Sequence, residues 1–324
     1  MQRLKYKITN WPAYNKSLIS RGSVTLWLSD DVAAGWYADS AGGERGRPQV
    51  YGDSAIQFFL TIKYMYGLPY RAAQGFVDSL LATAGLDLKS PCYTQACRRS
   101  ETLAVKPEPI SKASGHRDVV VDSTGLKVYG EGEWKVRKHG ASKRRTWRKL
   151  HLAVDSATHE ILAHRLTGND KSDDAVFPEL LKDVAGEVGD CMGDGAYDTQ
   201  DCHAACHTRG AKLVAPPNRR AVPQKPGKEK PELALRDAYV ARIDGLAEEI
   251  GDKEEARKQW KKETGYHRRS IGETAMFRFK TICGPKLSSR QEPRQQTEVA
   301  VKINLLNRFA NIGMPLSVPV KIAA

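Results

Sequence analysis

The sequence predicts a mixed α/β domain over 107–324, its sheet flanked by helices, behind an N-terminal arm over 1–48 and a helical domain over 49–106. Three observations predict it. Apolar residues recur at helical spacing between 52 and 103. Pro107, Pro109 and Gly115 then break that pattern. Beyond them, short apolar runs give way to alternating helix-like and strand-like stretches, the order of a layered α/β fold.

The arm holds an apolar stretch, SVTLWLSDDVAAGWY, and a Gly-rich loop, AGGERGRP. Ile56, Phe59, Leu60 and Tyr64 mark a first helix that Gly67-Leu-Pro69 stops. Ala73, Phe76, Leu80 and Leu81 mark a second, ending at Gly85. Ser90-Pro91 opens a third, CYTQACRRS. Three short helices with a tight second connection suit a helix-turn-helix, with Tyr93, Gln95, Arg98 and Arg99 on its outer helix, or an ordinary three-helix bundle. After the break, VVVD (119–122), LKVYG (126–130), KLHLAVDS (149–156) and HEILAHRLT (159–167) read as strands. A helix over 173–184, the short apolar edge CMGDGAYD (191–198), a helix over 198–209 and the strand AKLVAPP (211–217) follow. Residues 221–230 read as a loop, and 232–250 as a helix with a Leu235, Tyr239, Ile243, Leu246, Ile250 stripe. A last helix covers 294–312, ended by Gly313 and Pro315.

Charge narrows the partner. Fifty-one Lys and Arg oppose 38 Asp and Glu, a net +13. Residues 125–150 hold nine Lys or Arg against two Glu, including Lys143, Arg144 and Arg145; residues 209–230 hold seven against one. Two concentrated basic segments suit a surface that follows a phosphate backbone. Trp134 and Trp147, within the first, suit base stacking or core packing. No run approaches the ~20 apolar residues that span a membrane, and the basic start lacks an apolar signal region. A cytoplasmic protein is expected. The six cysteines are too sparse for a disulfide scaffold. Cys202-His203-Ala-Ala-Cys206-His207 has the spacing of half a zinc site with no second half; buried thiols beside surface histidines are the simpler reading.

Chemistry concentrates in three acids. Asp122 ends an apolar strand, where a carboxylate is costly unless compensated. Asp194 follows a short apolar edge and precedes Gly195, which permits close approach. Acids at adjacent strand ends offer oxygen ligands to a hard divalent cation, although a strand-ending Asp is also an ordinary turn residue. Tyr266, Arg269, Glu273 and Lys280 are spaced by three, four and seven residues. At about 100° per residue they share an arc of roughly 60° on one helix. An acid flanked by cations can hold a metal while the cations grip phosphates; the alternative is a solvated face of weak ion pairs. His151, Asp155 and Asp198 are read as structural.

Tyr266-x2-Arg269-x3-Glu273-x6-Lys280 resembles the signature of insertion-sequence DDE transposases, and most closely their insertion-sequence 5 type. VVVDSTGLKVYG around Asp122, GDGAYD around Asp194, APPNRR (215–220), ETAMFRFK (273–280) and NRFANIGMP (307–315) extend the similarity over most of the chain from about 50 onward. The resemblance implies an RNase H-like fold, with the first Asp on the first strand, the second after the fourth, and the Glu on a late helix beyond an insertion around 218–264. It implies that Asp122, Asp194 and Glu273 are catalytic and share two Mg²⁺ ions, with Mn²⁺ able to substitute. Water would free a 3′-OH at each element end, and that hydroxyl would attack target DNA. Tyr266, Arg269 and Lys280 would contact DNA, joined by Arg98, Arg99, Lys143, Arg144 and Arg145. Double-stranded DNA carrying terminal inverted repeats, target DNA and a second subunit on paired ends are the implied partners. A nuclease of the same fold and a non-catalytic DNA-binding regulator are the alternatives.

Overall fold

The computed structural model describes residues 5–23, 30–38, 48–107, 115–129 and 146–320. Lys143, Arg144, Arg145 and Trp134 lie outside them. Two compact units emerge: 1–105 with 304–324, and 106–303. Among the described residues no helix is long and apolar enough to cross a membrane.

In the first unit, β1 (Lys5–Ile8) pairs antiparallel with β7 (Ser317–Val320), a pairing that neither short segment advertises in sequence. α1 (Trp11–Ser20) and α2 (Asp30–Ala34) precede the three expected helices, α3 (Asp53–Met65), α4 (Tyr70–Thr83) and α5 (Tyr93–Arg99). Ile56, Phe59, Leu60 and Tyr64 are buried as their spacing requires. On α4 the buried stripe is Ala73, Val77 and Leu81, and Phe76 points outward against Tyr66 instead. The tight connection is the first, Tyr66–Pro69. The second covers 84–92, longer than the three- or four-residue link of a helix-turn-helix. Its length serves anchoring: Trp36 Nε1 donates to the Lys89 carbonyl at 2.8 Å and the Tyr51 hydroxyl to the Ser90 carbonyl at 3.0 Å.

The second unit is built on a five-stranded mixed sheet of order β4-β3-β2-β5-β6. Its strands are β2 (Arg117–Tyr129), β3 (Thr146–Asp155), β4 (Ile161–Thr167), β5 (Val188–Met192) and β6 (Lys212–Val214). The first three form an antiparallel meander, whereas β5 runs parallel to β2 and β6 parallel to β5. VVVD and LKVYG, read separately in the sequence, are one strand, because the intervening Ser-Thr-Gly stays paired with β3 from His151 to Lys149. Alternation along β2 sends Val119 and Val121 to one face and Val120 to the other. The first face is covered by α6 (Asp173–Asp183) and α7 (Gln200–Thr208) through Phe177, Leu180, Leu181, Cys202 and Cys206. The thiols are buried as expected, but His203 is buried too, facing Asp198 at 3.2 Å, where a surface position was expected.

The insertion covers the opposite face. α8 (Ala234–Ile250) and α9 (Lys253–Glu263) lay Ile243, Leu246, Ala256 and Trp260 on Val120, Met192 and Val214. α9 escapes sequence reading because only Ala256 and Trp260 of its eleven residues are buried. It is nonetheless well specified: Asp252 caps it by accepting from Glu254 N at 2.8 Å, with acids in its first turn and lysines in its last. After Gly265, residues Tyr266–Arg269 form a 3₁₀ turn, followed by α10 (Ser270–Cys283) and α11 (Glu292–Ile312). The single helical wheel drawn through Tyr266 to Lys280 therefore holds only from Ser270 onward, since a 3₁₀ turn advances faster per residue.

A half-buried histidine with an enclosed ring nitrogen couples this unit to pH. His164, on β4, has an Nδ1 with no hydrogen-bond partner among the described residues, and burial pushes its pKa from 6.5 down to about 4. Its unfolded form takes up the proton first as pH falls from 6.5 to about 4. Stability is therefore lost on acidification across that window, by about 3 kcal/mol in all. Denaturant titrations at pH 7 and pH 4.5 should show the loss, and His164→Leu should flatten it.

Candidate active site

The β2–β5 register decides where two of the acids go. Val120 pairs with Met192, so two residues further on Asp122 comes alongside Asp194, just past the end of β5. Both continue the parity of Val120 and Met192, on the face that α8 and α9 cover. Asp194 caps the 3₁₀ turn Gly195–Tyr197 by accepting from Ala196 N at 2.8 Å. Asp122 accepts from Ser123 N at 2.9 Å.

α10 brings the third acid. Gly272 lies so close to β2 that a Cβ there would sit 3.0 Å from Val120 Cγ1 and 3.1 Å from Asp122 Cβ. The residue beside it is Glu273. Three carboxylates thus share one neighbourhood, and Asp122 records it. Burial pushes its pKa above the usual carboxylate range, the charges of Asp194 and Glu273 push the same way, and the Ser123 N–H and Arg269 oppose them. Glu273 itself is exposed and bonded to Arg269 one turn earlier. Among the described residues no group of three His, Cys, Asp or Glu stands gathered for a metal.

The surrounding shell includes residues that sequence reasoning missed. Tyr197 is buried under Gly193, whose added Cβ would fall 2.6 Å from the ring. Burial, then Asp173, Asp122 and Asp194, drive its phenol pKa far upward, so it stays protonated. Asp173 lies 2.9 Å from Lys149 Nζ and 3.3 Å from His151 Nδ1. Burial would raise its pKa, but His151, Ser123 and the Lys149 ammonium beside it together hold it far below the usual carboxylate range. The available signal was parity: Lys149 and His151 alternate with Leu150 and Leu152 on a strand whose partner carries Ser123. Asp198 and Asp155 are structural as expected. Asp198 accepts from Arg236 Nε and the Asn218 N–H, both at 3.0 Å, and Asp155 closes the β3–β4 turn.

Of the other expected DNA contacts, Arg269 and Tyr266 lie near the acids, Tyr266 tilted against Trp260 at 6.3 Å with Lys261 Nζ 5.3 Å from its ring. Lys280 is half-buried further along α10. In the first unit, Arg98 lines a cavity of about 440 Å³ with Tyr70, Arg71 and Tyr93. Arg99 turns inward instead, bonded to Asp53 and, at 3.0 Å, to the Tyr51 carbonyl; an acid at the start of α3 competes for its charge.

Two family models, both described as a transposase DDE domain, match residues 19–131 and 113–308. Among solved structures, a piggyBac transposase synaptic complex with hairpin DNA is 9% identical, with 95% of this chain and 84% of that chain covered at a TM-score of 0.29. A simian T-cell lymphotropic virus intasome in complex with PP2A regulatory subunit B56 gamma is 12% identical, with 71% and 74% covered at a TM-score of 0.21. Likeness at that level carries no argument, so identity rests on the second family match, which spans more than half of the chain: this protein belongs to the DDE transposases, the enzymes of DNA transposition.

Proposed function

We propose that the protein is an RNase H-like, insertion-sequence 5 type transposase in which Asp122, Asp194 and Glu273 are the catalytic acids. The observation that carries this reading is geometric: the β2–β5 register brings Asp122 alongside Asp194, and the close approach of Gly272 to Asp122 brings Glu273 beside them. The strand order supports the fold: an antiparallel meander with two parallel strands added beside its first member, the first acid on the first sheet strand and the second after the fourth.

Three carboxylates with nothing but oxygen donors fit a hard divalent ion, Mg²⁺ or Mn²⁺. When bound, such ions activate the attacking oxygen and stabilise the leaving one. The chain's own residues do the rest. Arg269, now bonded to Glu273, is placed to exchange that carboxylate for an incoming phosphate, which frees Glu273 to turn toward Asp122 and Asp194. Lys280 grips a second phosphate. Tyr197, kept protonated beneath the acids, adds no competing charge. Water attacks phosphorus at the element's end, its oxygen joining the 5′-phosphate while the 3′-oxygen leaves as a hydroxyl. That 3′-OH then attacks a target phosphodiester and displaces the target's own 3′-oxygen, consuming no further water.

The first unit, with Arg98 and its aromatic groove, serves as the terminal-repeat reader, two subunits hold paired ends, and the enzyme works in the cytoplasm on nucleoid DNA. The test is a Mg²⁺-dependent cleavage assay on DNA flanking the gene, with wild type against Glu273→Ala. Wild-type nicking, lost in the variant, and joining of a pre-cut 3′-OH end to plasmid support the reading. Nicking without joining would make the protein a nuclease, and DNA binding with no cleavage a regulator. Binding should weaken by about 10³-fold or more between 50 and 200 mM salt, as several neutralised phosphates require.

A further inference from the structure

A second set of residues ties together the segments that carry the acids. Asp118 lies four positions before Asp122 on β2, Asp190 four before Asp194 on β5, and Arg268 five before Glu273 in the 3₁₀ turn that opens α10. One nitrogen of the Arg268 guanidinium donates to Asp118 Oδ2, and the other to Asp190 Oδ2 at 3.2 Å. A single planar fork therefore joins all three segments.

The fork sits where the ladder is irregular. Arg117 pairs with Val188 but Val119 pairs with Cys191, so two steps along β2 match three along β5. An extra residue leaves a backbone group out of the ladder. Here Asp118 Oδ1 takes the Asp190 N–H at 2.9 Å. One glycine clears the space and a second makes the left-handed turn before Arg268. A Cβ at Gly189 would lie 2.7 Å from Asp118 Oδ1, and one at Gly265, whose φ is +64°, would lie 3.4 Å from Arg268 Nε. Without the fixed bulge, β5 could slip by one residue, moving its downstream acid about 3.3 Å and turning it to the other face.

We infer that Arg268, acting through Asp118 and Asp190, is a positioning residue that fixes the β2–β5 register and the start of α10, and so sets the spacing of Asp122, Asp194 and Glu273. The inference rests on the reading of those three as the cation-holding acids.

The test uses the full chain bound to a duplex carrying the element's end, with Mn²⁺ as the probe, its affinity read by electron paramagnetic resonance and cleavage followed separately. Arg268→Ala should keep its circular dichroism and duplex affinity yet weaken Mn²⁺ binding by about 10–100-fold, the loss typical when a residue supporting metal ligands is removed. Excess metal should restore part of the cleavage. Arg268→Lys, which reaches one carboxylate but not both, should fall between. In an Asp118→Asn/Asp190→Asn background, Arg268→Ala should add little further loss. Unchanged Mn²⁺ affinity in folded Arg268→Ala, or fully additive losses, would overturn the inference. If Arg268→Ala fails to fold, Asp118→Asn decides by the same measurement, unchanged affinity again counting against it. Asp122→Asn is the control: if it binds Mn²⁺ and cuts like wild type, the reading of the acids has failed, whatever Arg268 does.

Discussion

Asp122→Asn is expected to slow DNA-end cleavage by at least about 10³-fold, roughly 4 kcal/mol of barrier, while leaving the fold intact. The substitution keeps the side chain's volume and the oxygen that accepts from Ser123 N. What it removes is charge, which in a two-metal phosphoryl transfer is what the acids contribute. It also removes strain. Asp122 is pushed above its usual pKa by burial and by two negative neighbours, so its ionised form lowers stability at neutral pH. The thermal midpoint should therefore hold or rise by about 2 °C. Loss of cleavage without loss of stability or duplex binding separates a chemical role from a structural one. A calorimetric scan beside a single-turnover cleavage course measures both. A variant that cuts within tenfold of wild type would remove Asp122 from the mechanism.

The largest stability effect is expected at Glu298→Ala in α11. Glu298 is 0% exposed and Lys302, one turn on, 4%. The carboxylate accepts from Lys302 Nζ at 2.8 Å, from Ser288 N and Oγ at 2.9 and 3.0 Å, and from Ser289 N at 2.8 Å. It thereby fastens the loop after α10 to α11. Alanine leaves a buried ammonium without its carboxylate, a loss of about 3–5 kcal/mol and ~10 °C of thermal midpoint. Glu298→Ala/Lys302→Met should recover part of it, because methionine removes the stranded buried charge. Burial pushes the Glu298 pKa up, but Lys302 and the serine bonds outweigh it and hold it below 4.5. The pair's contribution is thus complete above pH 4.5 and fades as pH falls through the lower folded value. A single variant that melts with wild type would contradict this account.

What the sequence made legible follows from where its signals are local. The strands of the sheet, the helices over 173–184 and 198–209 and the placement of Asp122 and Asp194 came from apolar runs bounded by turn residues. The family signature added Glu273. Alternation then accounts for the two layers: Val119 and Val121 serve one, and Val120 the other. What stayed hidden is non-local or polar. The β1–β7 pairing joins residues some 310 positions apart with no periodic signal. Eight of the eleven residues of α9 are charged, so its two buried residues gave no stripe. Arg99 resembled any surface arginine until Asp53 and the Tyr51 carbonyl took it inward. Arg268, adjacent to a signature residue, has its two carboxylate partners beside a bulge between β2 and β5 that no local pattern announces.

That β1–β7 pairing also orders the protein's birth. β1 must wait unpartnered until β7, some 310 positions later, leaves the ribosome, whereas every strand of the central sheet is available well before then. A polypeptide cut short before β7 would thus hold a complete central sheet while β1 still lacked a mate.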